Sequence, residues 1–305
     1  MKSTTLCQAD GSTVRAVTLP EGGRVADMSW KRSSGEIVIL TCSRVQTSGV
    51  TCTVLGVDPL GRASQIFPPR GSPYFEEADG RLTPWYLTRA RVSPDGRTLA
   101  VVLDGRVLIF RLPTGDLWAQ FGDDVRELVW ISSNAVALTK STSPERRGLS
   151  ESQVFLYHLD SGREEQITRF PPLRDSSWNP FAEPRFRYPL ARWLTWALDA
   201  GTLAFVVFPA GDLYELRDLA NLRSFGPLKG QCYFQTVLSG DAKQLAYIAG
   251  TTAAACLVAG GEEVRLRNLA TGEDRTLMRL DERSRYVSKL AWVAGPGEET
   301  KGQSE

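Results

Sequence analysis

A single histidine, His158, occurs in 305 residues, and that scarcity removes whole classes of chemistry. A zinc site built on several imidazoles is excluded, and a Ser-His-Asp triad has little to stand on. His158 itself sits in the alternating run VFLYHLDSG and reads as an ordinary strand residue. Cysteine is sparse too: Cys7, Cys42, Cys52, Cys232 and Cys256 are odd in number and lack CxxC spacing. Cys42 and Cys52 flank a hairpin loop, Arg44–Val50, and could face each other across two strands. The odd count and the missing leader favour buried free thiols instead.

Neither sign of charge dominates. Lys and Arg total 36 against 35 Asp and Glu, so nothing in the overall field points to nucleic acid or an anionic membrane surface. No apolar run approaches the roughly 18 residues of a spanning helix, so no membrane insertion is expected. The start, MKSTTLCQADGSTVRAV, has no continuous apolar segment and does not read as a secretory signal. A cytoplasmic protein is therefore expected, although a secreted protein whose signal has been removed would look the same. No GxSxG elbow, GxxxxGK[ST] loop or GxGxxG fingerprint is present. The acidic pairs (Glu76-Glu77, Asp123-Asp124, Glu164-Glu165, Glu262-Glu263 and Glu298-Glu299) lie at loops or strand starts and read as solvated turns. No catalytic residue, metal site or cofactor is expected.

What the sequence does have is repetition. VLIFRLPTG (Val107–Gly115) recurs as VFLYHLDSG (Val154–Gly162) and VRLRNLATG (Val264–Gly272), with weaker copies ending at Gly11, Gly61 and Asn221. The six copies follow one another at intervals of 47 to 59 residues. A second series runs in step: Trp30, Trp130, Trp196 and Trp292 each end a short alternating strand, and Val92 and Leu238 take that place in the other copies. An apolar residue follows six or seven positions later: Ile37, Leu99, Val136, Leu203 and Leu245. Placing four of the eight tryptophans at one repeat position argues for rings that fill gaps between sheets.

Each copy reads as four strands joined by turns. Repeats of about 40–50 residues with four strands each predict an all-β, six-bladed β-propeller. The expected blades span about 24–67, 87–122, 124–170, 190–226 and 231–280. The sixth is shared by the termini, 285–294 plus 3–19, which makes residues 1–305 one domain. After Trp292 the chain is polar and Gly-rich, so either that blade has three strands or the natural protein continues. Blades 1 and 3 are expected to carry long loops, Ser43–Val50 and Ser141–Ser152, and the copies pair into a pseudo-threefold pattern. The turn in SPDGRTLAVV (Ser93–Val102) resembles the repeat of TolB-type propellers, and VLIFRLPTG resembles the third strand of WD-repeat blades, with Phe110-Arg111 in place of Trp-Asp. Such motifs mark a fold and say little about function.

Two long inserts fall outside the repeat, PPRGSPYFEEADGRLTPWY (Pro68–Tyr86) and PPLRDSSWNPFAEPRFRYP (Pro171–Pro189). Both join a fourth strand to the next blade's first strand and should share one face of the ring. They carry Arg70, Tyr74, Phe75, Arg81, Trp85 and Tyr86, then Arg174, Trp178, Phe181, Arg185, Phe186, Arg187 and Tyr188. Long loops rich in aromatics and Arg suit a partner-binding surface; equally, the rings could fold back and cap the propeller. The first reading makes the protein a non-catalytic scaffold for a protein or peptide partner. The alternative is a small-molecule-binding or catalytic propeller with a ligand in its central channel, lined by Asp27, Arg91, Glu127 and Arg192.

Overall fold

The computed structural model describes residues 3–7, 14–18, 24–31, 34–45, 49–58, 60–67, 87–103, 105–142, 152–171, 190–208, 212–230, 232–250, 262–279 and 290. They form antiparallel sheets. A two-stranded ladder joins β1 (Ser3–Cys7) and β2 (Val14–Thr18). Blade 1 is β3 (Arg24–Lys31), β4 (Glu36–Val45), β5 (Gly49–Val57) and β6 (Ala63–Phe67). Blade 2 is β7 (Leu87–Val92), β8 (Thr98–Leu103), β9 (Arg106–Arg111) and β10 (Leu117–Phe121). Blade 3 is β11 (Glu127–Ser132), β12 (Ala135–Lys140), β13 (Gln153–His158) and β14 (Glu164–Gln166). Blade 4 is β15 (Leu190–Ala197), β16 (Thr202–Phe208), β17 (Asp212–Arg217) and β18 (Asn221–Pro227). Blade 5 is β19 (Cys232–Leu238), β20 (Gln244–Gly250), β21 (Glu263–Asn268) and β22 (Asp274–Arg279).

Every blade is a simple meander whose strands pair in chain order. The first strands of successive blades lie side by side, β3 by β7, β7 by β11, β11 by β15 and β15 by β19. This is a β-propeller. The structure describes five four-stranded blades where six were expected. The segments assigned to the sixth lie largely outside the described residues, apart from β1, β2 and Leu290.

Burial follows position in the blade. The second strands are covered on both faces, so they read as continuous apolar runs: TLAVVL in β8 has four consecutive buried residues and AVALTK in β12 has five. Fourth strands such as β14 and β18 are mostly exposed and correspondingly polar. The core lies between blades, because alternate residues of one strand face opposite neighbours. Leu99 and Val101 pack with Val38 and Leu40 of blade 1, whereas Ala100 and Val102 pack with Val136 and Leu138 of blade 3. Leu203 and Phe205 meet blade 3, and Ala204 and Val206 meet Leu245 and Tyr247 of blade 5.

The tryptophan series keeps its register where it is described, and Trp292 lies outside the described residues. Trp30, Val92, Trp130, Trp196 and Leu238 pair across the ladder with Ile37, Leu99, Val136, Leu203 and Leu245. Trp130 is buried between blades 2 and 3, and its indole N–H donates to Arg91 O at 2.8 Å. The Ser93–Gly96 turn is held by Asp95, which accepts from Ser93 Oγ at 2.5 Å and Arg97 N at 3.1 Å. Ser239 and Asp241 repeat that arrangement, at 2.7 Å, with Lys243 N 3.0 Å from Asp241. Gly105 also has a specific reason: at φ 74 its position would bring a side chain 3.1 Å from Asp124 N.

Two expectations are corrected in blade 1. Ser43–Val50 is not a long loop, because the β4–β5 ladder continues out to Val45 opposite Gly49. The same register sets Cys42 directly opposite Cys52, and the two form a disulfide rather than free thiols.

Candidate functional site

The inner strands carry one charged or polar residue at a fixed level. Asp27, Arg89, Glu127, Arg192 and Gln235 pair with Leu40, Val102, Thr139, Val206 and Ile248. Each partner lies three residues past the one opposite the Trp30-type position, so the five side chains form one belt around the inner strands. Blades 1, 3 and 5 supply Asp, Glu and Gln as acceptors; blades 2 and 4 supply Arg. In blade 4 a bulge changes which residue reaches the belt. Counting back from Trp196 would put Trp193 there, but the pairing skips from Arg192 to Thr195, and Trp193 takes φ 60. A large side chain in left-handed backbone is a strained exception, and bulges of this kind re-aim side chains.

Two of the acceptors fasten the next blade, and the third binds Leu290. Asp27 Oδ2 accepts Ala90 N at 3.0 Å, Glu127 Oε2 accepts Leu194 N at 3.1 Å, and Gln235 Oε1 accepts Leu290 N at 2.8 Å. Gln235 also donates to Leu290 O at 2.9 Å. The intervening seams use other groups. Trp130 reaches Arg91 O, Thr236 Oγ1 donates to Trp193 O at 2.7 Å, and Leu238 N donates to Thr195 Oγ1 at 2.9 Å. Side chains thus join the backbones of adjacent inner strands at all four seams between the five described blades.

Charge is distributed unevenly along the belt. Asp27 is 1% exposed and pairs with Arg91. Glu127, 2% exposed, faces Arg89 at 3.2 Å and Arg192 at 4.0 Å, both through Oε1. Arg126, just before Glu127, pairs with Asp124 at 3.3 Å. Burial disfavours the charge on Arg89, but Glu127 and Asp27 on either side outweigh that and hold its pKa above the ordinary arginine value. Arg192 goes the other way. Burial lowers its pKa, Glu127 offsets part of this, and Arg126 and Arg89 repel it further. Arg89 also lies over the Trp193 ring, 5.9 Å from its centroid.

The thirteen insert residues singled out by the sequence, Arg70, Tyr74, Phe75, Arg81, Trp85, Tyr86, Arg174, Trp178, Phe181, Arg185, Phe186, Arg187 and Tyr188, lie outside the described residues. Their flanks are described. Residues 68–86 run from β6 into β7, and 172–189 from the end of blade 3 into β15, so both inserts enter inner strands at the end carrying Arg89 and Arg192. Of the four channel candidates, Asp27 and Arg91 form one pair while Glu127 and Arg192 belong to a second cluster. Sequence reasoning missed Arg89 and Arg126 in that cluster; the only available signal was their spacing from Val92 and Trp130. It also missed a shallow cleft of about 480 Å³ at the opposite end of blades 2 and 3, lined by Asp95, Arg111 and Trp118.

No family model matches the chain, and no curated protein matches it. Solved structures do. A chain of a nidogen/laminin complex superposes with a TM-score of 0.61 at 12% identity, covering 91% of this chain and 88% of that one. TolB from Acinetobacter baumannii gives 0.57 at 13% identity, covering 89% of this chain, which spans 58% of the TolB chain. An oligogalacturonate lyase in complex with manganese gives 0.49 at 13% identity, too distant to carry an argument. These likenesses define the class, a β-propeller. Within it the fold is TolB-like.

Proposed function

We propose that this chain is a non-catalytic binding propeller that engages a protein or peptide partner through its two long inserts. The observation that carries this reading is topological: both inserts run from the outer edge of a blade into the next inner strand, at the same end of the inner strands. Their aromatic and Arg content suits an interface, and a propeller of similar fold is solved in a nidogen/laminin complex. The buried acids of the inner strands support it too. Asp27 and Glu127 each accept a backbone N–H and face arginine, which fits fastening rather than proton transfer. The combined variant Trp85→Ala, Trp178→Ala, Arg187→Ala is expected to lose a partner that wild-type protein retains in quantitative pull-down, with its circular dichroism unchanged. An identical partner set would overturn the reading.

We further propose that residues 1–305 form one six-bladed domain closed by 285–294 with 3–19. Leu290 receives Gln235 as Ala90 receives Asp27, which suits the first strand of a sixth blade. Ile39 and Ile248 face away from blades 2 and 4, yet both are 0% exposed. Slow amide exchange at Leu290 is expected, and fast exchange there would contradict closure. Among the described residues no helix is long and apolar enough to cross a membrane. The Cys42–Cys52 bond favours an oxidising compartment over the cytoplasm. Mass analysis after alkylation, with and without reduction, tests that placement.

A further inference from the structure

The cleft of about 480 Å³ at the opposite end of blades 2 and 3 is built from positions that the other blades fill differently. Three residues past the turn glycines Gly61, Gly162 and Gly272, blades 1, 3 and 5 carry Ser64, Glu165 and Arg275; past Gly115, blade 2 carries Trp118. Among the described side chains Trp118 is the one exposed aromatic ring, at 38%, and Leu117 beside it is 39% exposed. The backbone bulges at this point. Leu117 pairs with Phe110 and Ala119 with Ile109, so Trp118 is the extra residue of β10. The outer strands of blades 1, 4 and 5 bulge toward their C-terminal ends instead, around Ile66, Phe225 and Leu277. A bulge re-aims a side chain, and in blade 2 it re-aims the indole at the cleft.

Two arginines border the same cleft, and neither has the partner that its counterpart has. Arg97 stands four residues past Ser93, as Lys243 stands past Ser239. Lys243 pairs with Asp241 at 3.3 Å, whereas the Arg97 guanidinium makes no hydrogen bond or ion pair among the described residues. Arg111 pairs across the ladder with Thr98, as Arg217 does with Thr202. Arg217 reaches Glu215 at 2.9 Å. Two residues before Arg111 the chain has Ile109 in place of that acid, and the Arg111 guanidinium lies over the Trp118 ring, 5.7 Å from its centroid. The backbone that carries these groups is fixed: Leu112 N donates to Arg97 O at 2.7 Å, and Arg111 N to Asp116 O at 2.9 Å.

We propose that this cleft docks a short acidic peptide segment of a partner protein, with an apolar or aromatic anchor residue on Trp118 and Leu112 and flanking carboxylates on Arg97 and Arg111. Tryptophan and arginine are the residues that carry most energy at interfaces, and the guanidinium fork matches a carboxylate. A phosphate or sulfate polymer suits the cleft less, because the positive charge is confined to two points with Asp95 and Asp116 beside them. The site lies at the other end of the blades from the inserts, so it is a second surface and does not rest on the insert reading.

Selection of a random heptapeptide display library on the wild-type protein, followed by fluorescence polarisation of the enriched peptides, tests this. Enriched peptides are expected to carry Asp or Glu on either side of an apolar or aromatic residue. Trp118→Ala should weaken their binding about 10-fold or more. Arg97→Gln and Arg111→Gln should each weaken it about 3-fold, and more at low salt. All three side chains are exposed, so the melting temperatures of these variants should match the wild type. The triple insert variant Trp85→Ala, Trp178→Ala, Arg187→Ala should bind the same peptides at full strength, which separates this site from the insert reading. Failure to enrich acidic peptides, wild-type affinity in the three cleft variants, or tighter binding of a heparin oligosaccharide at the same residues would overturn the proposal.

Discussion

Two seams of this propeller make the same bond and surround it differently. At the seam of blades 1 and 2, Asp27 accepts Ala90 N and is neutralised by Arg91. At the seam of blades 3 and 4, Glu127 accepts Leu194 N but is shared by Arg89 at 3.2 Å and Arg192 at 4.0 Å. The first is anchored by a direct ion pair whose loss would strand a buried charge. The second shares one buried acid between two arginines. The hydrogen bond is the structural constant, and the ion pairing around it is what differs between the seams. Gln235 supplies the neutral third version, tying Leu290 without any ion pair.

Breaking the closed seam should have the largest effect. Asp27→Ala removes the acceptor for Ala90 N and leaves the largely buried Arg91 without its pair, with an expected loss of about 3–5 kcal/mol in denaturant unfolding. Gln235→Ala gives up two hydrogen bonds to Leu290 but no charge, and should cost about 1–3 kcal/mol, with faster amide exchange at Leu290. Trp130→Phe keeps the ring between blades 2 and 3 and loses only the N–H to Arg91 O, for roughly 1–2 kcal/mol by the same measurement. Arg192→Gln should change stability least, by no more than about 0.5 kcal/mol, since neighbouring arginines already oppose its charge.

Acid titration sharpens the comparison from the surface side. Burial pushes Asp95 and Asp241 up, but the hydroxyls of Ser93 and Ser239 and the backbone N–H groups of Arg97 and Lys243 outweigh it, so both folded-state values are depressed. A depressed carboxylate stabilises the fold above its unfolded value of about 3.9, and that contribution is lost as pH falls through the folded value. Stability should therefore be insensitive to these turns at neutral pH and decline below about pH 4. The variant pair Asp95→Asn, Asp241→Asn should flatten that decline in pH-dependent melting.

The repeat was legible because its physics is local. Second strands sandwiched between blades must be apolar throughout, so TLAVVL stands out, and β8 runs from Thr98 to Leu103. The Trp30-type positions and their ladder partners were readable from spacing alone. The belt was not, since its level depends on where each inner strand bulges. Glu127 sits in register, whereas Arg192 reaches the belt only through an extra residue in blade 4. The disulfide was half legible: the hairpin lets Cys42 and Cys52 face each other, the odd cysteine count points instead to free thiols, and the register sets the two opposite each other.

The most direct test compares the melting temperatures of Arg91→Gln and Arg192→Gln side by side. If the direct Asp27–Arg91 pair holds its seam while Glu127 keeps Arg89 when Arg192 is lost, Arg91→Gln lowers the melting temperature and Arg192→Gln leaves it near the wild-type value. Equal losses in the two variants would contradict that division.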